Sequence, residues 1–143
     1  MTALKRIALA SLLLAAAACG GGDTPATTPT AIAGPQTQLF EGTLAPGGSA
    51  FYSFTVDQTG NASVMLASVS TSTAPNTSVA ITLGLALGTP LGTDCSITAA
   101  LTASPSLTSP LVNSLTPGIY CARVYDIGNL KSTVNFAVRI VHT

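Results

Sequence analysis

The stretch VAITLGLAL, Val79 to Leu87, puts Val79, Ile81, Leu83, Leu85 and Leu87 at every second position, with the small residues Ala80, Thr82, Gly84 and Ala86 between them. A period of two sends alternate side chains to opposite faces of an extended strand, whereas a helix needs apolar residues three and four apart. The stretch therefore predicts a strand with one bulky apolar face and one face of small residues.

The same period recurs outward in both directions. Ser49 to Asp57 sets Tyr52, Phe54 and Val56 against Ser53 and Thr55, and Ala62 to Val69 puts Val64 and Leu66 on one face. Thr133 to His142 places Val134, Phe136, Val138 and Ile140 inward, and Ile119 to Asp126 and Gln38 to Leu44 complete the set. Turn signals fall between them: Pro46-Gly47-Gly48, Gln58 to Asn61, and a loop over Thr71 to Thr77 built around Pro75-Asn76. Asp126 to Leu130, with Gly128 and Asn129 suited to positive φ, reads as a hairpin closure. From Gly92 to Leu115 the alternation weakens and prolines interrupt it. Nothing in the body reads as a helix. The expectation is an all-β, antiparallel β-sandwich of about seven to nine strands, filling residues 38–143.

The front of the chain is of another kind. Lys5 and Arg6 precede Ile7 to Ala18, an apolar run broken only by Ser11. A charged n-region and a short h-region describe a signal peptide over residues 1–18, too short for the roughly 20 apolar residues of a membrane span. The tetrad Ala16-Ala17-Ala18-Cys19 resembles the lipobox of bacterial lipoproteins, with Ala16 standing where Leu is usual. That resemblance implies cleavage before Cys19 and lipidation of its thiol. Ordinary cleavage near Ala18, giving a freely secreted domain, is the alternative. Two or three acyl chains, at about 0.8 kcal/mol per buried methylene, hold a protein durably where one does not. Gly20 rather than Asp follows the cysteine, which favours the outer membrane if the host has two membranes. Residues 19–37, rich in Gly, Thr and Pro, then form a flexible tether that spans at most roughly 60 Å.

Lipidation of Cys19 leaves Cys95 and Cys121, an even pair in an oxidising compartment, which predicts a disulfide. Two free buried thiols are the alternative; a zinc site lacks C-x-x-C spacing and has one distant histidine. Composition excludes other partners. Charged residues are 7% of the chain, and after cleavage Arg123, Lys131 and Arg139 face Asp23, Glu41, Asp57, Asp94 and Asp126. No basic patch exists for nucleic acid.

The segments FEGTLAPGGSAFYSFTV (Phe40 to Val56), VAITLGLAL, LTPGIYCARVYD (Leu115 to Asp126) and VNFAVRI (Val134 to Ile140) together resemble the bacterial pre-peptidase C-terminal domain. The match is most specific at Pro117-Gly118-Ile119-Tyr120. The resemblance implies a jelly-roll-like sandwich. It also puts Tyr120, Ala122 and Val124 toward the core, so that Cys121, Arg123 and Tyr125 share the other face. Calcium linked to Asp residues in the family's central strand is not implied here, because Asn76 to Leu87 contains no acidic residue.

Catalytic patterns are absent from the sequence. His142 is the lone histidine, no G-x-S-x-G elbow surrounds a serine, and His142 reads as a solvated strand-end residue. Glu41, Asp57, Asp94 and Asp126 fall at turns and strand ends, as solvated acids do. Asp94, Asp126 and Asn129 lack the Asp-x-Asp spacing of a calcium loop. Arg123 and Tyr125 are the candidate contact surface, since Arg and Tyr are common binding anchors. The sequence thus points to a lipid-anchored module of the cell envelope that binds envelope protein or glycan, with no catalytic residue, metal or cofactor. A small hydrolase or inhibitor on the sandwich, or a purely structural lipoprotein, are the competing readings.

Overall fold

The structure, a computed structural model, describes residues 34–73, 76–108 and 110–143. The expected signal peptide, Cys19 and most of the expected tether lie outside the described residues. Eight strands and no helix occur among the described residues: β1 (Gln36–Leu44), β2 (Ser49–Val56), β3 (Gly60–Thr71), β4 (Leu83–Leu91), β5 (Asp94–Ala103), β6 (Leu111–Leu115), β7 (Gly118–Tyr125) and β8 (Val134–His142). The strand ladder takes in Gln36 and Thr37, paired with His142 and Val141, which the sequence had assigned to the tether.

The strands form two antiparallel sheets, ordered β1-β8-β3-β6 and β2-β7-β4-β5. First pairs with last, second with seventh, third with sixth and fourth with fifth, and successive pairs alternate between the sheets. One long antiparallel ribbon folded over on itself in this way is a jelly roll. The alternation seen in the sequence fills the space between the sheets. Leu83, Leu85 and Leu87 of β4, Val124 of β7, Val64 of β3 and Val138 and Ile140 of β8 are fully buried there. Each such side chain stabilises the fold by about 1.5–3 kcal/mol relative to exposure.

Two elements differ from the sequence reading. The strand expected over Val79 to Leu87 begins at Leu83 and runs on to Leu91. Residues 79–82 instead carry the chain from β3 in one sheet to β4 in the other, a gap of about 10 Å between packed sheets. The Val79 N–H donates to the Val69 carbonyl at 2.9 Å, and Val79 and Ile81 pack against the core without joining a ladder. The second difference is the hairpin expected at Asp126 to Leu130. β7 pairs with β2 and β4 while β8 pairs with β1 and β3, so this loop is an arch between sheets. Gly128 does take positive φ, at 92°.

β5 and β6, illegible in the sequence, are edge strands. β5 follows β4 through a two-residue turn, Gly92-Thr93, with Gly92 at φ 60°. Leu87 pairs with Ala99 and Gly88 with Ile97, leaving Thr98 as a bulge residue whose hydroxyl donates to the Leu87 carbonyl at 3.1 Å.

Candidate functional site

The outer face of the β2-β7-β4-β5 sheet carries the residues singled out by the sequence. Alternation turns Cys121, Arg123 and Tyr125 of β7 outward, beside Gly84, Ala86 and Gly88 of β4. The small face of β4 is therefore a trough, and β7 side chains fill it. A Cβ on Gly84 would collide with the Tyr125 ring, so the ring lies directly on that glycine. Cys95 and Cys121 form a disulfide that reaches over β4, since β5 and β7 flank it. Strands two places apart are normally separated by roughly 9–10 Å, yet these Cα atoms are 6.0 Å apart. The start of β5 achieves this by curling onto the face of the sheet: the Ser96 carbonyl occupies the space a Gly88 side chain would need.

The curl also brings Asp94 to Arg123. The guanidinium bonds Asp94 Oδ1 at 3.2 Å and Ser49 Oγ at 3.1 Å, and its carbon lies 6.0 Å from the Tyr125 ring centre. Arg123 Nε is buried and has no partner among the described residues. The candidate contact pair Arg123 and Tyr125 is thus adjacent, but both of its Nη groups are already engaged within the sheet. Asp94 is well exposed, so the ion pair itself contributes little, at most about 1 kcal/mol.

Asp126 is a structural latch. Its Oδ2 accepts from the Gly47 N–H at 2.8 Å, and Oδ1 accepts from Gly128, Asn129 and Leu130 at 2.9–3.2 Å. The Gly47 N–H above all, with those of Leu130, Gly128 and Asn129 against an opposing desolvation, holds this carboxyl below the usual range. Asn129 donates to the Thr82 carbonyl at 2.9 Å. Among the described residues no group of three or more His, Cys, Asp and Glu is placed to hold a metal ion.

His142 is not solvated. It is 1% exposed, on the inward parity of β8 after Ile140, with its ring 5.2 Å from that of Phe54 and Nε2 without a partner among the described residues. Tyr52 also lies inward, stacked on Phe40 at 4.7 Å and donating to the Glu41 carbonyl at 3.0 Å; burial raises its pKa. Gly42 leaves the room its hydroxyl occupies.

A groove of polar lining lies on the opposite outer face and was not foreseen. Two cross-strand rows build it: Glu41–Ala137–Ser68 and Thr43–Asn135–Ser70, running over β1, β8 and β3. Asn76, from the segment between β3 and β4, closes one side, and the groove holds about 450 Å³. The register of β3 shifts between Leu66 and Ser68, so Ala67 is a bulge residue. Past it the parity reverses: Leu66 and Val69 both face the core, and Ser68 and Ser70 face out. Ala137, small and central, gives the depression its depth. Glu41 is the only charged side chain among the described lining residues, and no second carboxylate and no imidazole accompanies it.

No protein-family model matches the chain, and no curated protein matches it.

Proposed function

We propose that this protein is a lipid-anchored module of the bacterial cell envelope that binds envelope glycan or protein without catalysis. Cys19 provides the anchor, on the outer membrane where the host has one, and residues 20–35 the tether. The Cys95–Cys121 disulfide fits an exported, oxidising setting. The resemblance to the pre-peptidase C-terminal domain belongs to the same reading: such a domain accompanies secreted enzymes.

The observation that carries the proposal is the groove over β1, β8 and β3. Thr43, Ser68, Ser70, Asn76 and Glu41 line it, and none of their side chains bonds another described residue. Polar groups gathered in a concavity and left uncommitted are groups available to a ligand. The hydrolase alternative needs paired acids or an activated nucleophile, and the described lining residues contain one carboxylate and no imidazole.

Depletion of the purified protein from solution by envelope fragments of its host tests the proposal. Saturable depletion, abolished in a S68R/S70R variant that fills the groove, is the expected result. Depletion that is absent, or equal in the two proteins, contradicts it.

A further inference from the structure

Resting on the reading of the groove as the binding site, we infer that its ligand is a short oligosaccharide segment that is neutral or amino-bearing. The argument starts from the donor set. Thr43, Ser68 and Ser70 offer hydroxyls, each donor and acceptor at once, and Asn76 and Asn135 offer amides. Asn135 spends one donor on the Thr71 carbonyl at 3.2 Å and has no other partner among the described residues. A surface of short groups that both give and receive hydrogen bonds matches a ligand whose own hydroxyls do the same.

A peptide fits poorly. Its backbone is recognised by adding a strand at a free sheet edge, but the groove floor is the face of three strands already paired with one another. Anchoring apolar side chains would need exposed apolar surface, and none of the exposed large apolar residues among the described ones, Leu39, Leu107 and Ile119 included, lines the groove. The sign of the ligand's charge follows from Glu41, the one charged side chain of the lining. It repels uronates and phosphates and attracts an ammonium. The volume of about 450 Å³ lies toward the small end of ligand sites, roughly 300–1,000 Å³, so the bound segment is short.

The test is an amide chemical-shift titration of the full chain with three probes: N-acetylglucosamine trisaccharide, glucosamine trisaccharide and galacturonic acid trisaccharide. The first two are expected to shift the Glu41, Ser68, Ser70 and Asn135 amides saturably, and the acidic one to leave them unmoved. S68A/S70A should weaken both interactions by roughly tenfold. E41Q should weaken only the glucosamine interaction, by roughly fivefold. Equal binding of the acidic probe overturns the inference, and so does failure of all three probes at the groove. If the probes fail while groove-dependent depletion by envelope fragments persists, the binding module stands and its ligand is not this class of glycan. If depletion fails too, both readings fall.

Discussion

Removing the Cys95–Cys121 bridge is expected to cost more than any single surface change. The cysteines are 26 residues apart. The chain-entropy relation gives about 3.5 kcal/mol for closing a loop of that length in the unfolded state. A domain of this size loses about 4 °C of Tm per kcal/mol, so C95A/C121A should melt about 15 °C lower. The structure also says where the loss falls. The bridge ties the first residues of β5, which also pair with β4, over Gly88 and beside Arg123. Amides of Asp94 to Ile97 should lose protection first, while the β4–β7 ladder keeps its own. Thermal unfolding by circular dichroism, with hydrogen exchange on the same variant, reads both. A fall in Tm under about 4 °C, or exchange that loosens β7 before β5, refutes the reasoning.

Other consequences follow from close approaches and buried groups. Gly88→Ala pushes a methyl into the Ser96 backbone carbonyl and should destabilise by about 3 kcal/mol. Gly84→Ala meets first the Tyr125 ring, which can swing away, so its cost is about 1 kcal/mol and should shrink in a Y125A background; a denaturant double-mutant cycle measures this. His142→Ala should lower stability by about 2 kcal/mol in urea unfolding, because a buried ring against Phe54 is lost; a solvated residue would cost under about 0.5 kcal/mol. Asp126 has a folded-state pKa below its unfolded value, so its contribution is present above the unfolded pKa and is lost as pH falls through the folded one. Melting curves over acid pH should show D126N less stable at neutral pH and with a shallower acid decline.

Much of the sandwich can be read from the sequence because one face of most strands is buried between the sheets. Tyr52, Phe54 and Val56, and Val134 to Ile140, alternate in the sequence as they do across the core. β5 and β6 escape that reading, although β1 and β2 are edge strands too: β5 is rich in Ser, Thr and Ala and carries little contrast, and β6 is only five residues long. Val79 to Thr82 misled for the opposite reason. Their alternation suits a strand, but the chain must use them to change sheets, a requirement of topology with no local signature. His142 was legible in principle, two residues beyond Ile140 on the same face, and the parity rule outweighs its polar ring. The groove was not legible, because it depends on the bulge at Ala67 that turns Ser68 and Ser70 outward and on pairing between β1, β8 and β3. Cys95 and Cys121 were legible as a pair; that their bond would cross over a central strand at Gly88 was not.

The functional reading depends on the chain reaching an oxidising envelope and staying there through Cys19. Intact mass of the protein from detergent-solubilised membranes of its own host, with and without reductant, tests this most directly. The account predicts a chain that begins at Cys19, carries acyl mass, and gains one hydrogen per sulfur at Cys95 and Cys121 on reduction. A chain in which Cys19 is present and unmodified, or whose mass does not change on reduction, contradicts it.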